Sequence, residues 1–123
     1  MVQISQMARL LDLDTANGAF ERRTFTEAER KFAATKHNIA EYYATRFAAK
    51  EAVTKAIAPL CSNVNADLRI VETLNRSDGS PYINTNEHLR SILEEVQVDT
   101  LHISITTEGD YATAFVIACN ENI

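Results

Sequence analysis

The chain has 123 residues, enough for one ordinary domain with a real core, and its 46% hydrophobic and 24% charged composition is that of a globular protein. No apolar run approaches the roughly 20 residues that span a bilayer, and the start MVQISQMARLLDLD lacks the basic lead and apolar stretch of a signal peptide, so a cytoplasmic location without a membrane partner is expected. A net charge of −5 argues against nucleic-acid binding, which rests on clustered Lys and Arg.

Val2–Leu11 reads as the end of a strand running into a short helix, followed by a loop over Asp12–Phe20 around Asn17-Gly18. Thr26-Glu27-Ala28-Glu29 has the S/T-x-x-E form of a capping box, so a helix should start there and run to about Thr35. Ile39–Leu60 is rich in Ala, Glu and Lys and predicts a long helix, with Ala40, Tyr43, Phe47, Ala48 and Ile57 recurring at roughly helical spacing. Pro59 and the Ser-Asn-rich piece after it should end that helix.

From Leu68 the period changes. Leu68–Leu74 reads as a strand, Asp78-Gly79 as a turn, and Pro81-Tyr82-Ile83 as the start of the partner strand. Asn86–Val96 predicts a short amphipathic helix with Leu89, Ile92, Leu93 and Val96 on one face. Leu101–Thr106 and Tyr111–Ala118, joined by Thr107-Glu108-Gly109-Asp110, predict a C-terminal hairpin. Helices first and strands later give an α+β domain, with an antiparallel sheet packed against the long helix. With no repeat or linker in the chain, a single domain is expected. Cys61 and Cys119 fit no metal or disulfide spacing and read as small core or near-core residues. His37, His88 and His102 read as surface or strand residues.

On the long helix, Arg46, Lys50, Glu51 and Lys55 project as one wide polar face, with Glu51 and Lys55 in the favourable i, i+4 order. By spacing alone this is a solvated face carrying a weak surface pair. The string itself says more. RFAAKEAVTKAI at Arg46–Ile57 resembles the signature R-F-x-x-K-E-A-x-x-K-A. Phe25-Thr26-x-x-Glu29 precedes it, Asp78-Gly79-Ser80-Pro81-Tyr82 is similar to an N/D-G-x-P-Y hairpin, and Ile103–Thr106 with Tyr111-Ala112-x-Ala114 resembles V-S-I-S/T…Y-A-x-A. On these motifs the chain is identified as a member of the holo-acyl-carrier-protein synthase family of 4′-phosphopantetheinyl transferases.

The resemblance implies transfer of the phosphopantetheine arm of coenzyme A to a serine of an acyl carrier protein, from fatty-acid or polyketide synthesis, with Mg²⁺ as cofactor. It makes Glu51 the metal carboxylate and Lys55 a contact of the reacting phosphates that helps deprotonate the serine. Arg46 and Lys50 become basic positions beside the nucleotide, and Pro81 lies along the adenine side. It also implies a homotrimer whose active sites form between two subunits, and it points to Arg9, Arg22 and Arg23 as the basic residues that meet the carrier.

Three departures stand beside it. The family opens with Gly-x-Asp, whose Asp is the second metal carboxylate. Here Met1-Val2-Gln3-Ile4 aligns just after that Asp, so a segment preceding Met1 is the expectation. Ala58-Pro59-Leu60 stands where a Gly-Thr-Gly phosphate loop is usual, and Thr107 stands where many members carry histidine, which leaves it one hydrogen bond to donate to a coenzyme A phosphate. A Mg²⁺-dependent transferase is the first reading. A catalytically degenerate member serving as a carrier-protein or synthase binding module is the alternative.

Overall fold

In the computed structural model, which describes residues 1–13, 18–57 and 68–121, the elements run in the order of the sequence. They are β1 (Val2–Gln3), α1 (Ile4–Asp12), α2 (Ala19–Thr24), α3 (Glu27–Ala33), α4 (Ile39–Ile57), a 3₁₀ turn at Leu68–Ile70, β2 (Glu72–Asn75), β3 (Pro81–Asn84), α5 (Glu87–Glu95), β4 (Thr100–Glu108) and β5 (Tyr111–Cys119). The expected α+β class, with an antiparallel sheet against a long helix, is what forms. One antiparallel sheet has the order β1-β5-β4, and β2-β3 is a separate hairpin.

Helix α4 is the axis of the packing. Its C-terminal half, through Val53 and Ile57, joins Ile70, Val71, Leu89, Ile92, Leu93 and Val98 in one apolar cluster. Its N-terminal half, through Tyr42, Tyr43 and Ala44, joins Met7, Phe25, Ala33 and Ala112 in another. Alanines at 44, 48 and 49 are buried, which lets neighbouring backbone approach closely. A helix covered nearly all round belongs inside a fold rather than on its surface.

Several local expectations are corrected. The loop over Asp12–Phe20 is shorter, because α1 continues through Asp12 and α2 begins at Ala19. Residues 14–17, including Asn17, lie outside the described residues. The strand expected from Leu68 opens instead as the 3₁₀ turn, and β pairing starts at Glu72 opposite Asn84. The C-terminal strands run closer to their turn than expected, with Glu108 paired to Tyr111. Pro59, Cys61 and the stretch replacing the Gly-Thr-Gly loop also lie outside the described residues. Cys119 is a half-buried free thiol.

The capping box at Thr26 forms as expected. Thr26 Oγ1 accepts from the Glu29 amide at 3.2 Å, and Glu29 Oε1 accepts from the Thr26 amide at 2.9 Å. Helix α1 has no such residue of its own, since Gln3 makes no side-chain cap. Asp110, from the β4–β5 turn, takes that role from 105 residues away: its carboxylate accepts from the Ser5 amide at 3.0 Å and from Ser5 Oγ at 2.5 Å. Asp110→Ala should therefore cost about 0.5–2 kcal/mol, the range for a lost cap, read as a lower urea midpoint with an unchanged m-value.

Candidate active site

Reading Arg46, Lys50, Glu51 and Lys55 as one polar, solvated face does not survive folding. Successive residues on a helix turn by about 100°, so Arg46 and Lys50 share one flank while Glu51 and Lys55 share another. The first flank is buried: Arg46 is 5% exposed and Lys50 0%. Among the described residues no ion pair joins Glu51 to Lys55.

Lys50 lies in the core. Its Nζ pairs with Glu29 Oε1 at 2.8 Å and donates to the carbonyls of Leu68 at 3.0 Å and Val71 at 2.6 Å. The ammonium also sits 5.6 Å from the Phe25 ring centroid. Glu29 is equally occupied, because Oε2 accepts from the Thr73 amide at 3.0 Å. One buried pair thus ties α3, α4, the 3₁₀ turn and β2 together.

Arg46 lies one turn away, at the edge of a cavity of about 260 Å³ that also takes in Asn75, Gly79, Pro81, Thr106 and Thr107. Three of the expected site residues, Arg46, Pro81 and Thr107, meet here. The Arg46 guanidinium rests 4.6 Å from the Tyr42 ring centroid and donates to Asn75 Oδ1 at 2.5 Å. Burial pushes the Tyr42 phenol up, and the adjacent guanidinium works against that shift. Behind it, burial and the 2.6 Å bond to Glu21 push the Tyr43 phenol up as well. A neighbouring cavity of about 340 Å³ shares Glu41, Thr45 and Arg46 and adds Lys36, His37 and Asn38. Between them the two cavities carry Lys36 and Arg46 as cations and Glu41 as a carboxylate.

Glu51 opens on the other flank of α4. It is half-buried in a cavity of about 230 Å³ lined by Met1, Val2, Gln3, Gln6, Met7, Leu10 and Phe47. Lys55 is exposed in the last turn of α4, where a cation is favoured by the helix dipole. Arg9 on α1 and Arg22 and Arg23 on α2 are also exposed. His37, His88 and His102 are all exposed, as expected. A larger cavity, about 610 Å³ between α5 and β4, contains none of the motif residues, and its charges oppose one another: Arg76 and Arg90 against Glu94 and Asp99.

Among the described residues no group of three or more His, Cys, Asp or Glu is placed to hold a metal. Glu51 is the carboxylate of its cavity, with the Gln3 and Gln6 amides on the same lining. Mg²⁺ is commonly bound by one or two carboxylates, with substrate phosphates and waters completing its shell. This donor set suits that mode and not an all-protein cage.

Asn75 and Glu29 are the residues of this region that sequence reasoning did not assign to it. Glu29 is visible in the sequence as a helix cap and as the end of the Phe25-Thr26-x-x-Glu29 string, and Asn75 carries no signal beyond its place before the turn.

Comparison with known proteins identifies the family and the fold. The sequence pattern of the 4′-phosphopantetheinyl transferase superfamily matches residues 2–116. A holo-[acyl-carrier-protein] synthase of a Wolbachia from Drosophila simulans is 32% identical over 123 residues, covering 97% of this chain and 92% of its own. The crystal structure of the Neisseria meningitidis holo-[acyl-carrier-protein] synthase superposes with a TM-score of 0.83 at 28% identity, over 95% of this chain and 91% of that one. An ACPS–CoA complex from Chronobacterium ammoniagenes gives 0.81 at 27% identity, over 98% and 93% of the two chains. The chain belongs to the holo-acyl-carrier-protein synthase family of 4′-phosphopantetheinyl transferases.

Proposed function

We propose that this protein transfers the 4′-phosphopantetheine arm of coenzyme A to a serine of an acyl carrier protein, in a Mg²⁺-dependent reaction. The observation that carries the proposal is the split arrangement around α4. A hairpin-bordered cavity holding Arg46, Pro81 and Thr107, with Glu41 on the same lining, occupies one flank, and the Glu51–Lys55 side occupies the other. The first has the character of a nucleotide and phosphate binding site. The second has the carboxylate and cation that phosphoryl transfer needs.

The serine oxygen bonds to the phosphorus nearest the pantetheine, the bond from that phosphorus to the nucleotide oxygen breaks, and 3′,5′-ADP leaves with the electron pair. Arg46 offers fixed positive charge to the phosphates, Thr107 a hydroxyl donor, and Pro81 an apolar surface beside the base. Lys55 stands at the reacting phosphates and assists removal of the serine proton. Glu51 would hold Mg²⁺, which when bound neutralises charge developing on the phosphates.

Because the half-sites lie on opposite flanks of one helix, a complete site is most simply built between two copies. The exposed apolar residues of β5, Phe115 at 72% and Ile117 at 57%, supply a surface for that association. A homotrimer is the assembly proposed, and Arg9, Arg22 and Arg23 are proposed to meet the acidic carrier.

The test is incubation with coenzyme A, Mg²⁺ and an apo acyl carrier protein, read by mass spectrometry. The carrier should gain the mass of the arm. Mixing an Arg46→Ala protein with a Glu51→Gln protein should restore part of the activity each lacks, because some sites then combine two intact halves. Coenzyme A binding with no transfer to any carrier would favour the binding-module reading instead.

A further inference from the structure

Asn75 ends β2 and faces Pro81 across the hairpin. Its amide is held from both sides. Nδ2 donates to the Gly79 carbonyl at 2.8 Å, and Oδ1 accepts from Arg46 Nη2 at 2.5 Å. A flipped amide would set a donor against the guanidinium and a carbonyl against a carbonyl, so these two partners determine its orientation.

The turn beneath it is well braced. The Gly79 amide donates to the Arg76 carbonyl at 2.9 Å, and the Arg76 amide to the Ser80 carbonyl at 2.8 Å. Asp78 Oδ1 accepts from both the amide and the hydroxyl of Ser80, at 2.9 and 2.6 Å. Gly79 at φ +91 takes the left-handed conformation that this turn requires. On its other side the Arg46 guanidinium rests on the Tyr42 ring, and its buried Nε has no hydrogen-bond partner among the described residues.

We infer that Asn75 is a positioning residue, which anchors the Arg46 guanidinium to the rigid turn at the cavity edge and leaves its charge intact. The side-chain chemistry is specific on this point. A carboxylate at 75 would grip the guanidinium more strongly but cancel the charge an anionic ligand needs. An amide grips without cancelling, and its second group secures it to the turn. The inference rests on the reading of this cavity as a coenzyme A site.

Coenzyme A binding by calorimetry on the full chain tests it, with Asn75→Ala, Asn75→Asp, Arg46→Ala and the double variant Asn75→Ala/Arg46→Ala. Asn75→Ala should weaken binding about tenfold, the scale of one hydrogen bond to a charged group. Asn75→Asp should weaken it at least as much, although it keeps the bond. Adding Asn75→Ala to Arg46→Ala should change nothing further, because the effect runs through the arginine. Native-like affinity in Asn75→Ala, or the same loss in the Arg46→Ala background, overturns the inference. Should Asn75→Ala fail to fold, native-like affinity in Asn75→Asp overturns it.

If the native chain binds no coenzyme A, it is the reading of the cavity that fails. Asn75 is then judged in the free protein by ¹⁵N-edited spectra of the arginine side chains. Asn75→Asp should shift the Arg46 resonances and Asn75→Ala should average them, whereas unchanged signals in both overturn the anchoring role.

Discussion

Replacing Lys50 with methionine is expected to destabilise the fold by about 3–5 kcal/mol, the range for removing one partner of a buried pair. The loss comes from what remains. Glu29 would keep its capping bond to Thr26 and its bond to the Thr73 amide, while its carboxylate lost its ion-pair partner. The carbonyls of Leu68 and Val71 would lose a donor as well. Against a typical total stability of about 5–15 kcal/mol, this is a large fraction. Urea unfolding at neutral pH measures it, and a loss below about 1 kcal/mol would show that the pair behaves like a surface one. The double replacement Glu29→Gln with Lys50→Met should recover part of the deficit, because it removes both charges together.

Glu51→Gln should do the opposite, leaving stability nearly unchanged and lowering transfer by about 10²–10³-fold, the scale for losing one electrostatic contact to a phosphoryl transition state. Glu51 is half-buried and makes no hydrogen bond or ion pair among the described residues, so little in the fold depends on its charge. The substitution keeps the shape of the side chain and removes the negative charge a divalent cation needs. Steady-state transfer to an apo carrier protein and a titration of Mg²⁺ dependence read the effect, with thermal unfolding as the control. Transfer within threefold of the native protein would remove Glu51 from the metal site. The two variants also separate neighbours that look equivalent in the string RFAAKEAVTKAI: position 50 should move stability, and position 51 activity.

The capping box at Thr26, the Asp78-Gly79 turn, the amphipathic α5 and the C-terminal hairpin are legible because each is marked by a cap, a turn pair or a period within one short stretch of sequence. Even there, local signals ran out where tertiary contact decided. Leu68–Ile70 has strand-forming residues but coils into a turn, and its carbonyls meet Lys50 and Asn86. Helix α2 escaped notice because Gly18 and the short segment after it read as loop.

For the candidate site the division is sharper. The motif Arg46–Ile57, with its flanking strings, was enough by itself to identify the family, since several particular residues in one window are matched regardless of how the chain packs. It could not say which charges face a ligand. Arg46, Lys50, Glu51 and Lys55 form one polar face on an isolated helix, because spacing sets only their angles around its axis. Which arc of that circle is covered depends on Glu29, Val71 and Asn75, all brought to α4 from other elements. Burial of one arc turned Lys50 into a structural cation and Arg46 into the edge of a cavity, while on the other side Glu51 stayed half-buried and Lys55 exposed. Sequence determined the kinship and the inventory of charges, and only the tertiary structure could divide them, because the cost of burying a charge is settled by partners distant along the chain.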